Sequence, residues 1–408
     1  MTTCRSCGAS GLSPVLSLGH TPLANGLLTR DSLGAPEPRY PLELALCAEC
    51  GLVQILAALP PEALFTDYPY FSSFSDAMTA SAKSLVSQQI VELSLGPTDL
   101  ALEIASNDGY LLQHYRSAGV PVLGIEPAKN VARVAIAQRG IPTLMEFFGL
   151  SVAEELKHLG VSAAVVHANN VLAHVPEMSS FVAGIREILR DDGVAILEFP
   201  YVKEMIEKCE FDTIYHEHFS YFSLTSVDRL FRRCGLEIWD VDSLAIHGGS
   251  LRVFASRYGA RRVLPRVVSM LEAETAMGIA HADYYRNFAE RVTSLRGSLR
   301  SFLTGLKAQG RTLAAYGAAA KGATLLNYLQ IGPETLDFVV DRSPHKQGKF
   351  MPGVHIPILP PEALLEQRPE YVLLLAWNFA DEIMAQQSQF RDAGGKFIVP
   401  MPEPRVVG

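Results

Sequence analysis

No apolar run in this sequence approaches the roughly 20 residues needed to cross a bilayer, and the longest, such as Tyr371 to Ala376, stop far short of it. The start, MTTCRSCGAS, lacks the basic-then-apolar layout of a secretory signal. A cytoplasmic protein with no membrane partner is the expectation. Positive charge is in deficit too: 35 Lys and Arg stand against 43 Asp and Glu, a formal net charge of −8. That balance offers no general attraction to nucleic acid, so none is expected as a partner, and an anionic ligand needs a local cationic pocket. Cysteine is scarce, six in 408 residues, too few for a disulfide scaffold. The GxGxxG fingerprint, HExxH and a Tyr-xxx-Lys pair are missing as well.

What is present is a chain long enough for two to three domains, with 48% hydrophobic residues to fill their cores. The fold class is α/β. Residues 1–75, rich in Pro, Gly and Cys, form a small loop-and-hairpin module that needs a staple. From Asp76 a helical pattern runs to about Leu95, with Ser75 or Asp76 as its cap. Across 76–260 β-rich runs alternate with helical patterns, and a doubly wound parallel sheet answers that alternation. The stretch from about Leu264 to Gln309 reads as helical throughout, and 261–408 as a helical connector followed by a second Rossmann-like domain.

Four of the six cysteines fall in two CxxCG pairs, Cys4 with Cys7 and Cys47 with Cys50. Each tight turn aims two thiolates at one point, and two such turns complete a tetrahedral Cys₄ site for structural zinc. A redox CxxC would follow a strand and open a helix, which neither pair does. With four thiolate ligands such a metal has no open position for catalysis.

After the apolar run Leu100 to Ile104 the chain turns through Ala105-Ser106-Asn107-Asp108-Gly109 into a helical pattern. A strand turning through small residues into a helix cradles a dinucleotide or S-adenosylmethionine, so Glu103, Ala105, Asn107 and Gly109 are candidate cofactor contacts. About twenty residues on, the next strand ends in Glu126, placed to accept bonds from both ribose hydroxyls. Phe147 and Phe148 follow the third strand position, where an aromatic edge flanks adenine. Asn169 and Asn170, at the carboxyl end of another strand, suit the amino acid end of the cofactor.

Tyr215 to Phe222, YHEHFSYF, packs two imidazoles, a carboxylate and four aromatic rings into eight residues and points to acid–base work. His247-Gly248-Gly249-Ser250-Leu251-Arg252 reads as a substrate-facing turn in which Arg252 pairs a phosphate or orients an acid. In the last domain Tyr316 to Gly322, YGAAAKG, gives small residues plus Lys321 for a diphosphate, and Arg342 and Lys346 stand at the next strand end.

In order, CxxCG, CxxCG, the FSS segment, EIASNDG, GIEP, HANNVLAHV, YHEHFSYF, HGGSLR, YGAAAKG and VDRSPHKQG resemble the deoxysugar C-methyltransferase family of antibiotic biosynthesis, end to end. Ala105 departs from the glycine of many relatives. The resemblance implies a zinc-binding N-terminal module, a middle S-adenosylmethionine domain and a C-terminal domain that helps hold a thymidine-diphosphate (dTDP)-linked 4-keto-deoxysugar. It implies removal of a proton α to the ketone, at C3, and attack of the enolate on the methyl group. His218 resembles the base, with Tyr215 and Glu217 orienting substrate and imidazole, and with His174 and Tyr70 lining the cleft. His216, His247, Ser250, Arg252, Tyr316, Lys321, Arg342 and Lys346 fall to the substrate. The enolate donor stays open among Tyr215, His174 and His247. Methylation at C5 is an alternative, and a nicotinamide-dependent sugar oxidoreductase or epimerase and a non-enzymatic adaptor are more distant ones. A monomer is expected.

Overall fold

The computed structural model describes residues 3–57, 59, 71–245 and 248–408. Tyr70 and His247 therefore lie outside the described residues.

The N-terminal module is an antiparallel sheet of β1 (Leu12–Thr21), β2 (Tyr40–Cys47) and β3 (Val53–Ile55). Its fourth strand is β9, Ser220–Tyr221, which comes from the aromatic loop of the middle domain. Val53 pairs Tyr221 and Gln54 pairs Ser220. The module that lacks a core of its own is thus closed by the segment carrying the candidate catalytic residues.

The helix Asp76–Glu92 begins as its sequence requires, the Ser75 hydroxyl accepting the Met78 N–H. Beyond it lies a seven-stranded sheet in the order β10-β11-β8-β7-β4-β5-β6. The ranges are β4 Ala101–Ile104, β5 Val122–Ile125, β6 Thr143–Leu144, β7 Ala163–Asn169, β8 Leu189–Pro200, β10 Leu236–Leu244 and β11 Ser250–Arg257. The central strand β4 is buried at every residue, as its apolar run requires. The expectation of an all-parallel sheet fails at one strand. β11 runs antiparallel to both β10 and β8, because residues 245–249 are too few for the crossover that a parallel neighbour needs.

The expected continuous helical stretch is three helices, Pro265–Met277, Ala282–Tyr285 and Phe288–Ala308. Gly278, at φ 72°, ends the first in a left-handed turn. The last sheet, β14-β13-β12-β15-β16-β17, with β14 Ile358–Leu359 and β16 Lys396–Val399, is parallel except for its edge strand β17, Arg405–Val407. Its site-forming strands are β12 (Leu313–Tyr316), β13 (Val339–Val340) and β15 (Tyr371–Leu374). One cluster of buried side chains runs from Leu44 through Phe219 and Phe222 to Leu313, so the three sheets share a continuous core. Among the described residues no helix is long and apolar enough to cross a membrane.

Candidate active site

The carboxyl ends of the middle and C-terminal parallel strands face one cavity of about 650 Å³, which Asn25 of the N-terminal module also lines.

At the middle-domain end the turn after β4 carries two non-glycine residues in the left-handed region, Ala105 at φ 53° and Asn107 at φ 50°. Asn tolerates that conformation, whereas Ala105 costs about 1 kcal/mol relative to glycine. Glu126 ties the turn down: its Oε2 accepts the Asn107 N–H at 2.9 Å and its Oε1 the Ala128 N–H at 2.8 Å. Each oxygen keeps a further lone pair. Burial pushes the Glu126 carboxyl up to about 7, against those two bonds. Phe147, 43% exposed, and Phe148, set edge-on to Phe181, line the same end with Asn169 and Asn170. The Asn169 Oδ1 is buried and meets no hydrogen-bond partner among the described residues.

Two expected cofactor contacts lie elsewhere. Gly109 is packed below the turn, where a Cβ would come 3.0 Å from Ile141. Glu103 is buried within the sheet and does not line the cavity. Desolvation, then Asp108, Glu126 and Glu198, push its carboxyl well above the usual range. The residues that remain fit S-adenosylmethionine: a carboxylate with open lone pairs for the ribose, an orphaned acceptor for an ammonium, and aromatic walls for adenine.

In the aromatic loop the His218 Nδ1 lies 2.9 Å from the Thr213 carbonyl and Nε2 lies 2.8 Å from the Tyr215 hydroxyl. A carbonyl only accepts, so the network assigns the proton to Nδ1 and leaves Nε2 as the acceptor for the Tyr215 O–H. The two rings lie face to face at a tilt of 32°, with centroids 4.0 Å apart. His174, its ring centroid 4.8 Å from that of His218, donates from Nδ1 to the Glu217 carbonyl at 2.7 Å. Burial pulls its pKa down to about 4, which keeps it neutral. Backbone carbonyls therefore hold both imidazoles, where a carboxylate was expected. The Glu217 carboxyl turns away to accept the Asn25 amide at 2.6 Å, and burial raises it to about 7.

Three expected substrate contacts do not reach the cavity. His216 points into the N-terminal module, its Nε2 3.2 Å from the Pro41 carbonyl and its ring edge-on to Tyr40. Arg252 sits opposite Glu198 in the β8–β11 ladder and pairs with it at 2.6 Å, 8% exposed. Ser250 is buried at the start of β11. An in-sheet charge partner, invisible in the linear sequence, claims Arg252.

At the far end Tyr316, Lys321, Arg342 and Lys346 all line the cavity. Lys346 donates to the Ala318 carbonyl at 2.9 Å, and Lys321 reaches Asn378 at 3.2 Å from above the Trp377 ring. Gly317, at φ 95°, has no room for a Cβ, which would lie 2.8 Å from Ala376. Sequence reasoning missed Asn25, Asn378 and the pair Asp212 and Trp377. The Trp377 indole donates to buried Asp212 at 2.7 Å, next to the Thr213 carbonyl that holds His218. Burial lifts Asp212 to about 6. No local motif marks these residues.

The four N-terminal cysteines converge, all four Sγ lying within 4.8 Å of one another. Cys4 and Cys50 are 3.5 Å apart, Cys7 and Cys47 3.6 Å. A tetrahedral zinc with Zn–S bonds of about 2.3 Å requires S···S edges of about 3.8 Å. Both turns close alike, Gly8 N–H to the Cys4 carbonyl and Gly51 N–H to the Cys47 carbonyl.

A seven-stranded sheet with this strand order, an acid-braced turn at its centre and a cavity at its carboxyl end define an S-adenosylmethionine-dependent methyltransferase, here joined to a zinc module. Family models agree along the chain: a zinc binding domain over residues 4–65, a methyltransferase domain over 81–241 and a C-methyltransferase C-terminal domain over 245–402. C-methyltransferase NovU of Streptomyces niveus is 39% identical over 99% of this chain and 96% of its own length. The chain belongs to this C-methyltransferase family. Among solved structures, magnesium protoporphyrin IX methyltransferase of Synechocystis with bound SAM aligns over 49% of this chain and 99% of its own, at 16% identity and a TM-score of 0.36.

Proposed function

We propose that this C-methyltransferase moves the methyl group of S-adenosylmethionine to C3 of a dTDP-linked 4-keto-deoxysugar, with His218 as the general base. The observation that carries the reading is the place of the His218–Tyr215 pair, in one cavity between an acidic end and a cationic end. Among the described residues every Lys and Arg lining that cavity, Lys321, Arg342 and Lys346, belongs to the C-terminal domain, where they outnumber the acids Asp341 and Glu382, while Glu126, Glu146 and Glu177 line the other end with no cation beside them. A sulfonium suits the acids and a diphosphate suits the cations.

Bound between Glu126, Asn169 and the two phenylalanines, S-adenosylmethionine supplies an electrophilic methyl group. The protein's own part is proton transfer and charge stabilisation. With Nδ1–H fixed on Thr213, the His218 Nε2 is the basic atom, and it takes the proton that the 4-ketone acidifies. The Tyr215 hydroxyl then turns from Nε2 to the enolate oxygen as its donor. His174 is a poorer donor, because its Nδ1–H is spent on the Glu217 carbonyl and its Nε2 carries no proton.

The test is purified protein with methyl-labelled S-adenosylmethionine and a panel of dTDP 4-keto-sugars. Label should appear on the carbon α to the ketone on the C3 side, located by NMR of the product. Label at C5 would overturn the position, and no transfer to any 4-keto-sugar would overturn the substrate class.

A further inference from the structure

Two carboxylates in this molecule are braced in the same way, and only one of them has been given a ligand. Glu126 directly follows β5, the strand beside β4. It accepts one N–H from the turn after β4, that of Asn107 at 2.9 Å, and one from two residues beyond itself, that of Ala128 at 2.8 Å. Asp341 directly follows β13, the strand beside β12. Its Oδ2 accepts the Ala318 N–H, from the turn after β12, and its Oδ1 the Ser343 N–H two residues on, both at 2.8 Å. Both acids line the shared cavity; each Glu126 oxygen and the Asp341 Oδ1 retain an open lone pair, while the Asp341 Oδ2 also faces the Lys346 ammonium.

In parallel α/β sheets an acid at this strand end takes a ribose hydroxyl of a nucleotide whose phosphates lie at the neighbouring helix start. The C-terminal copy has the parts. The helix Ala320–Leu329 begins just after Ala318, whose N–H Asp341 holds, Gly317 lets that turn pack tightly on Ala376, and Lys346 Nζ lies 3.5 Å from the Asp341 carboxylate. Charge separates the two cradles: among the described residues the cavity wall around Glu126 has no Lys or Arg, and the wall around Asp341 has three, with Glu382 beside them.

We propose that Asp341 accepts a hydrogen bond from the 3′-hydroxyl of the substrate's nucleoside, and so is a specificity residue for the nucleotide half. The proposal rests on the sugar-nucleotide reading above. A thymidine nucleotide whose 5′-oxygen carries the diphosphate has that one free ribose hydroxyl, so a probe lacking it isolates the contact. If Asp341 merely braced the turn, its loss would weaken every nucleotide alike.

The experiment uses the full zinc-loaded chain, saturated with S-adenosylhomocysteine, titrated by calorimetry with thymidine diphosphate and with 3′-deoxythymidine diphosphate. The wild type should prefer the hydroxyl-bearing probe by about tenfold or more. Asp341→Asn and Asp341→Ala should bring the two probes to within about twofold of each other, with S-adenosylhomocysteine affinity unchanged. Glu126→Gln should do the reverse, weakening S-adenosylhomocysteine and leaving thymidine diphosphate alone. Equal loss of both probes in the Asp341 variants, or a preference that survives them, overturns the role of Asp341 while the nucleotide reading stands. A wild type that binds neither probe overturns both.

Discussion

Within one short loop, Tyr215 and His218 face the cavity while His216 and Glu217, lying between them in sequence, are turned into the rest of the protein. The first two make a hydrogen-bonded pair with rings in contact at the cavity wall. The second two dock on Pro41 and Asn25 of the N-terminal module, with His216 1% and Glu217 3% exposed. All four are residue types that do acid–base chemistry. Burial and bonding partner, more than residue type, divide them into a reacting side and an anchoring side.

The hardest test of that division removes the anchor. Structural zinc contributes on the order of 10 kcal/mol to its module, comparable to the whole stability of a domain. Chelation or Cys50→Ser should therefore unfold the N-terminal sheet, seen as loss of about one zinc per chain and a lowered melting temperature. Because β9 pairs with β3, turnover should fall as well, through a displaced His218. A metal-free protein with unchanged melting temperature and rate would break the comparison.

The next largest effect belongs to the reacting side. His218→Ala should cost about 10²–10⁴-fold in kcat, with melting temperature and cofactor affinity near wild type. His216→Ala should show the opposite signature, lower thermal stability with a rate per folded molecule within a few-fold of wild type. Equal losses of rate in the two variants would mean that the loop does not divide as described.

Away from the loop, Glu126→Ala should weaken S-adenosylmethionine by about 1–3 kcal/mol through lost charge-assisted bonds, measured by calorimetry. Unchanged affinity would remove Glu126 from the cofactor site.

The smallest effect is a pH dependence on the anchoring side. The Glu217 carboxyl holds its proton up to about pH 7 in the folded protein, against an ordinary value of 4.5. Between those values folding takes up a proton, so this group's contribution to stability falls as pH rises from about 4.5 to 7 and stays lowered above. Glu217→Gln, which keeps an acceptor for Asn25, should gain on the wild type by on the order of 1 kcal/mol at pH 8 and by nothing below pH 4. Parallel melting curves of the two proteins across that range would exclude the buried carboxyl as the source.

Features whose cause is local were legible in the sequence. The CxxCG spacing encodes the thiolate geometry, the turn from Ala105 to Gly109 follows its strand as expected, and Ser75 caps the helix it precedes. Features whose cause lies across the fold were not. Arg252 reads as an exposed phosphate ligand until β8 brings Glu198 opposite it, and β11 reads as one more parallel strand until its short connection to β10 is taken into account. Asn25 and Trp377 carry no motif, since their roles exist only once Glu217 and Asp212 are folded against them. Tyr70 and His247 lie outside the described residues, so Tyr70 rests on the resemblance and His247 on the resemblance and on the reading of its glycine turn.

The pairing of β3 with β9 also sets an order of assembly. On the ribosome the two cysteine turns emerge within the first fifty residues and can take up metal at once, whereas Tyr221 follows only after most of the middle domain has been made. Until then Val53–Ile55 is an apolar, unpaired sheet edge, the kind of surface that recruits a wrong strand. The nascent chain must carry that exposed edge while the 165 residues between Ile55 and Tyr221 are made. Truncation before Ser220 would leave the edge permanently open, which makes the isolated zinc module a poor candidate for separate expression or for grafting onto another enzyme.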